Sequence, residues 1–525
     1  MGCLRGTAVI FVVLIAAGCD QLSAGTVEMT YPESRTVDQV DDLHGTKVAD
    51  PYRWLEQDVR ESEAVADWVE RQNQVTFGHL SRIPEREAIE ARLTELWNYE
   101  RFSVPVRKGG RYFFHRNDGL QNQAVLYVQD SLEAEPRVLL DPNTWSDDGT
   151  VALAEANPSP DGRYLAYTVQ DGGSDWRTAR VLDIASSETL PDTLEWLKFT
   201  GIAWAGDGSG FYYSRYPAPD ADGKFTSLNK NHSVYFHRLE TSQAADRQVY
   251  ARPDFPDWGF SPQVSHDGRH LVIEVFLGTD ERNQVVYQHL ADPDSEPFML
   301  VEGFEAGYSF VGSRGDELYF RTNADAPRGR LVKVAPAAGE RPAFEEVIRE
   351  GEHVLVSASL IGEQVVAHYL RDASSAVSIF DAAGRPVREL TLPGIGSVAG
   401  FTGDPRSPET FFSFESFSRP PEIWRYDVAR DERQVFRRAG LRFDPDAYVV
   451  EQVFFTSKDG TRVPMFVTHR RGIERDGGNP TLLYGYGGFN ISLTPDFSVA
   501  RLAWLEMGGV YAVANLRGGG EYGEE

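Results

Sequence analysis

The stretch "LLYGYGGFN", residues 482–490, holds the residue types in this sequence best suited to chemistry. Tyr484 and Tyr486 alternate with glycines after an apolar run, and Phe489 follows. Glycine admits positive φ and lets a backbone approach a ligand closely. A tyrosine hydroxyl held at such a turn can donate a hydrogen bond to a developing oxyanion, worth about 3 kcal/mol in a dry site. The same residues also suit a strand-end turn with packed aromatics, and the pattern alone leaves both readings open. A second stretch, "VANLRGGGEYGEE" at 513–525, likewise runs from an apolar strand into a glycine loop. Arg517 there fits either a ligand for a carboxylate or substrate backbone, or a residue that fixes its own loop. No G-x-x-x-x-G-K-[ST] pattern accompanies it, so a phosphate cradle is unsupported.

A nucleophile is harder to find. No serine has glycine both two residues before and two after it: Ser209 has Asp207 and Phe211 there, and Ser309 has Gly307 but Val311. His44, His115, His266 and His469 each stand without a patterned serine or carboxylate partner and are expected to be satisfied structural groups. No H-E-x-x-H occurs, so no metal is expected. Cys3 and Cys19 are the two cysteines, both in "MGCLRGTAVIFVVLIAAGCDQLSAG". Arg5 gives a short basic start, and the apolar core Ala8 to Ala17 is too short for a spanning helix. Residues 1–18 resemble a bacterial lipoprotein signal, with lipid on Cys19. Ordinary cleavage near Ala17 or Ala24 is the other reading. With Cys19 lipidated no thiol remains, which excludes thiolate metal sites and cysteine nucleophiles. The expected location is periplasmic, lipid-anchored to the cell envelope.

These residues need elements to position them. A chain of 525 residues exceeds one hydrophobic core, so two or more domains are expected. The formal net charge of −27 repels phosphate backbones, which argues against nucleic acid as a partner. Residues 19–35 read as a polar tether. Within 36–98 two helices are predicted. The first has Val65, Trp68, Val69 and Val75 near one face. The second begins after Pro84 and carries Ile89, Leu93 and Leu96 at i, i+4 and i+7. From about 99 to 443 short alternating β segments take over. Their turns lie near Gly110, Gly162, Gly208, Gly268, Gly315, Gly362 and Pro405. A repeat of roughly 45–60 residues is the period of a four-stranded propeller blade, and seven turns predict seven blades. In 444–525 a hairpin around Lys458-Asp459-Gly460 is followed by strand, glycine loop, helix and strand. That order predicts a parallel α/β sheet with a ligand at the strand C-termini.

"LLYGYGGFN", "VANLRGGGEYGEE" and "DLHGTKVADPYRWLE", with the propeller pattern between them, resemble the prolyl oligopeptidase family over nearly the whole chain after the signal. The resemblance implies a seven-bladed β-propeller covering the active site of an α/β-hydrolase domain, with residues 36–98 returning to pack on that domain. It implies a serine peptidase that cleaves short peptides after proline through an acyl-enzyme, with no cofactor. Tyr486 matches the family's oxyanion tyrosine, and Phe489 an aromatic lining the pocket for the proline ring. The family's Ser, Asp and His follow the "RGGGEYGE" loop, in which this chain stops. The 525 residues are therefore expected to be a truncated, inactive chain, with 444–525 the start of the peptidase domain. The resemblance implies proline-containing peptides as partners and a monomer on the membrane. Two alternatives remain: a non-catalytic, lipid-anchored peptide-binding propeller, and an Arg/Lys-directed oligopeptidase of the same superfamily.

Overall fold

A computed structural model describes residues 29–219, 228–339 and 343–524. Cys19 and the signal segment lie outside the described residues. The chain divides into residues 1–90 and 91–525. In the first unit a hairpin, Val40–Leu43 with Thr46–Ala49, turns at His44-Gly45. Helix α1, Glu63–Leu80, buries Val65 and half-buries Trp68, Val69 and Val75, the face its spacing predicts. Trp54 is buried edge-on against Trp68 at 6.5 Å, and its indole N–H donates to the Arg35 carbonyl.

Among the described residues of the second unit, seven antiparallel sheets follow one another from Arg101 to Arg437. Six have four strands in sequential order, and the first has a short fifth strand, Val106–Lys108. In the second to seventh sheets the predicted turns lie between the first strand and the second, and in the first sheet Gly110 lies between Val106–Lys108 and Arg111–Asn117. Gly162 is a case where glycine is required: its φ is +69°, and a Cβ would sit 3.0 Å from the Lys108 carbonyl oxygen.

Each sheet is too small to cover its own faces, so neighbours cover them. Phe113 and Val128 of the first sheet meet Leu165 and Leu182 of the second. Tyr212 of the third meets Phe260 and Ile273 of the fourth, and Val366 of the sixth meets Phe412 and Tyr426 of the seventh. The seventh then meets the first through Phe411, Ile423 and Tyr112, so the sheets close a ring. Among the described residues no strand is shared across that seam. Side chains hold it: Tyr112 donates to Glu409 at 2.8 Å, and Arg437 lies over Phe102 and Phe114.

The ring hides an ionic cluster. His237 is fully buried between Asp246 (Nδ1 to Oδ1, 2.7 Å) and Asp192 (Nε2 to Oδ1, 2.8 Å). The Tyr213 hydroxyl donates to Asp246, and the Glu240 N–H to Asp192. Burial alone favours the neutral ring, but hydrogen bonds to Asp246 and Asp192 outweigh it and hold the His237 pKa above its ordinary value. A raised folded pKa means stability fully present below pH about 6.5 and lost as pH rises through the folded value. His237→Asn is expected to cost about 3 kcal/mol at pH 6 in urea melts, because it leaves buried carboxylates uncompensated. The difference from the unsubstituted protein should narrow toward pH 10; a constant difference would exclude a charged imidazolium.

After the ring, strands Tyr448–Thr456 and Arg462–Arg470 form the predicted hairpin. Strand Val510–Ala514 pairs antiparallel with Arg462–Arg470 and parallel with Thr481–Tyr484. The expected parallel sheet is therefore mixed, because the hairpin enters it through an antiparallel contact. Helix α2, Arg86–Trp97, sends Leu93 and Leu96 into the same core as Phe466, Leu502 and Tyr511. Arg92 of α2 also grips Glu506 with two hydrogen bonds, at 2.8 and 2.6 Å.

Candidate active site

Strand Thr481–Tyr484, helix α3 (Val499–Glu506) and strand Val510–Ala514 make one βαβ crossover. Ser498 caps the helix through the Arg501 N–H, and Leu502 and Leu505 bury its inner face. Val510–Ala514 is buried at every residue, as an apolar run between two neighbours should be. Because the two strands run parallel, both C-terminal ends open at the same edge. The glycine loops that leave them, 485–490 and 515–520, therefore lie side by side.

The loops interlock through backbone. The Asn490 N–H donates to Gly518 O at 2.9 Å, and the Gly520 N–H returns to Asn490 O at 3.1 Å. Gly518 has φ +93°, and a Cβ there would sit 2.2 Å from the Gly487 oxygen, so only glycine allows the approach. Glu521, nearly buried, ties the loops by side chain. Its Oε1 accepts from the Leu493 N–H at 3.0 Å and from the Asn515 amide at 2.9 Å. That same Asn515 amide donates to Leu493 O at 2.7 Å.

On this platform Tyr486 is 46% exposed, with its ring over Gly488, and Phe489 is 80% exposed. Both residues singled out from sequence thus stand on one loop at the strand ends, presented outward. Among the described residues, Phe489 packs into none of the buried clusters. Arg517 is claimed by Asp459 and by the Thr461 hydroxyl at 2.8 Å. It fixes its own loop to the hairpin turn, so of its two readings the structural one holds.

Beside the loop is a cavity of about 570 Å³, lined by Glu281, Arg321 and His368 from the ring and by Asn490, Thr494 and Glu524. Burial pushes the His368 pKa down to about 4, and its Nε2 lies 2.8 Å from the Ser375 hydroxyl. Burial also lowers the pKa of Arg321, whose Nε donates to Leu355 O. Polar contacts span from ring to loops: Asn490 Nδ2 to Glu281 Oε2 at 2.8 Å, Asn323 Nδ2 to Glu524 Oε1 at 2.7 Å, the Glu524 N–H to Pro327 O at 3.3 Å, and the Tyr522 hydroxyl to Asp372 at 2.7 Å.

Two of the four histidines have carboxylate partners that lie far off in the sequence or across a strand pair. His266 lies 3.0 Å from Asp404, whose partner Arg406 also reaches the ring nitrogen. His469 lies 3.8 Å from Glu451. Their carboxylates come from distant turns and a cross-strand neighbour, which local spacing does not reveal. His44 and His115 keep no carboxylate partner among the described residues. Asn490, Asn515, Glu521 and Glu281 were missed. For the first three, the signal available was their position beside the glycines.

A ring of small antiparallel sheets is followed by a mixed sheet, with a tyrosine on the loop at a parallel strand end. The profile described as "Prolyl oligopeptidase, N-terminal beta-propeller domain" matches residues 31–439. The chain is 39% identical over 498 residues to a prolyl endopeptidase of Elizabethkingia miricola, covering 95% of this chain and 70% of that one. It is also similar to a structure from work on two prolyl endopeptidases and the role of inter-domain dynamics in their catalysis and specificity. There the identity is 43% and the TM-score 0.72, over 94% of this chain and 71% of that chain. Prolyl oligopeptidase B from Galerina marginata, bound to a 35mer hydrolysis and macrocyclization substrate, matches with TM-score 0.87 and 28% identity. That match covers 94% and 72% of the two chains. The chain belongs to the prolyl oligopeptidase family of serine peptidases.

Loop interlock is open to test. Glu521→Ala leaves the Leu493 N–H and the Asn515 amide short of an acceptor, an expected loss of about 1–3 kcal/mol. Urea melts followed by tryptophan fluorescence measure it, and Glu521→Gln, which keeps one accepting oxygen, should lose less.

Proposed function

We propose that this chain carries the propeller and strands of the hydrolase domain of a peptidase that cleaves short peptides on the carboxyl side of proline. The seven sheets are the seven blades, and the mixed sheet from Tyr448 begins the α/β-hydrolase domain. One observation carries the reading: Tyr486 and Phe489 project together from the loop at the end of a parallel strand, in a chain of this family. The Tyr486 hydroxyl donates to the oxyanion of the tetrahedral intermediate, and a donor of this kind is worth about 10²–10³ in kcat. The Phe489 ring forms a flat apolar wall for the rigid pyrrolidine of the substrate's proline. The ring domain restricts access to peptides slender enough to reach the enclosed site. Reaction proceeds through an acyl-enzyme on a serine activated by histidine, and no such serine setting occurs among residues 1–525.

The rest of the proposal concerns location and state. Lipid on Cys19 anchors a monomer to the bacterial envelope, on its periplasmic side. The sequence pattern at 1–18 supports this, and [³H]palmitate labelling that is lost in Cys19→Ser tests it.

The product of the gene's whole reading frame should cleave a proline reporter peptide at least tenfold faster than an arginine one. Equal or reversed preference would favour an Arg/Lys-directed enzyme, and no cleavage by that product would favour a binding propeller. Purified residues 1–525 should cleave neither reporter. In the active product, Tyr486→Phe is expected to lower kcat about 10²-fold with little change in KM.

A further inference from the structure

Phe489 and Asn490 both have left-handed backbone, with φ of +52° and +55°. Two successive non-glycine residues there are strained, and such strain persists only where the surroundings over-determine it. On one side the backbone of Asn490 is held by Gly518 and Gly520. Those bonds hold its backbone but not its side chain. Asn490's side chain has a different anchor, the Glu281 carboxylate at 2.8 Å, which comes from the ring.

Glu281 is not on a loose tip. It lies in 278–283, between the second and third strands of the fourth sheet. Asp280 accepts from both the backbone and the guanidinium of Arg282. Asn283 clasps Tyr308 of the fifth sheet twice, at 2.9 and 2.7 Å. The Glu281 carboxylate therefore projects from a segment fixed to two sheets. Asn490 directly follows Phe489, so releasing its side chain frees the left-handed pair to relax, and the Phe489 ring turns with it.

We infer that Glu281 is a positioning residue: through Asn490 it holds Phe489 in the orientation that makes it a wall for proline. The inference rests on the role given to Phe489 under the proposed function. It makes proline preference a joint property of the ring and the strand-end loop. Glu281 touches no reacting atom, so its loss should raise KM for proline substrates and leave kcat nearly unchanged.

Two measurements test this. In residues 1–525, amide hydrogen exchange at Asn490 and Gly520 should quicken at least threefold in Glu281→Ala. Glu281→Gln, which keeps an accepting oxygen, should match the unsubstituted protein. In the product of the whole reading frame, Glu281→Ala should raise KM for a proline reporter roughly three- to tenfold, and Glu281→Gln should restore it. KM for an alanine reporter should change less than twofold. Phe489→Ala is the comparator and should lose proline preference outright. Unchanged exchange in Glu281→Ala overturns the inference. So does faster exchange with unchanged proline preference, provided Phe489→Ala does alter that preference. If Phe489→Ala keeps the preference, or the whole product cleaves nothing, the proposed role of Phe489 fails instead. The exchange rates alone then decide whether Glu281 holds the loop.

Discussion

A four-stranded sheet has two faces and too little chain to cover either. Everything else in this structure follows from how that deficit is met. Each sheet lends its faces to its neighbours, so Tyr212 serves the cluster with Phe260 while Phe211, one residue earlier, serves the cluster with Trp204. Alternation along a strand thus sends adjacent residues into different cores. The arrangement satisfies every sheet only when the last meets the first, which is why Phe411 and Tyr112 must meet.

The site depends on a second, smaller constraint. Parallel pairing of Thr481–Tyr484 with Val510–Ala514 forces two loops out of one edge, and both must fit in the space of one. Glycines at 487 and 518 make this possible, since a Cβ at either would strike the opposing backbone. What the tight packing leaves over is a small platform from which Tyr486 and Phe489 are pushed outward. Glycine content and aromatic display are two sides of the same steric problem.

Much of this was legible in the chain. The turns at Gly110 through Pro405 mark all seven sheets because turn chemistry is local, and α1 and α2 announce themselves by the spacing of Val65, Trp68, Leu93 and Leu96. The platform was legible because glycine loops after apolar runs have few other uses. What could not be read were partners. Glu281 and Asn490 are separated by 209 positions, and His266 meets Asp404 from another sheet. Nothing in local spacing encodes such pairs, because the ring brings them together only after it forms. The mixed sheet was misread for a related reason: strand direction is set by which neighbour a strand reaches.

The seam between the seventh and first sheets has a consequence for how the chain reaches its native form. Tyr112 and Glu409 lie 297 positions apart, and no shared strand brings them together. Closing so long a loop carries an entropy penalty that the seam's own contacts must offset. Leu96 and Tyr99, just before the ring, share a core with Phe466 and Tyr511, just after it. The chain segments on either side of the ring are thus gripped together by a body outside it, which backs up a seam made of side chains alone.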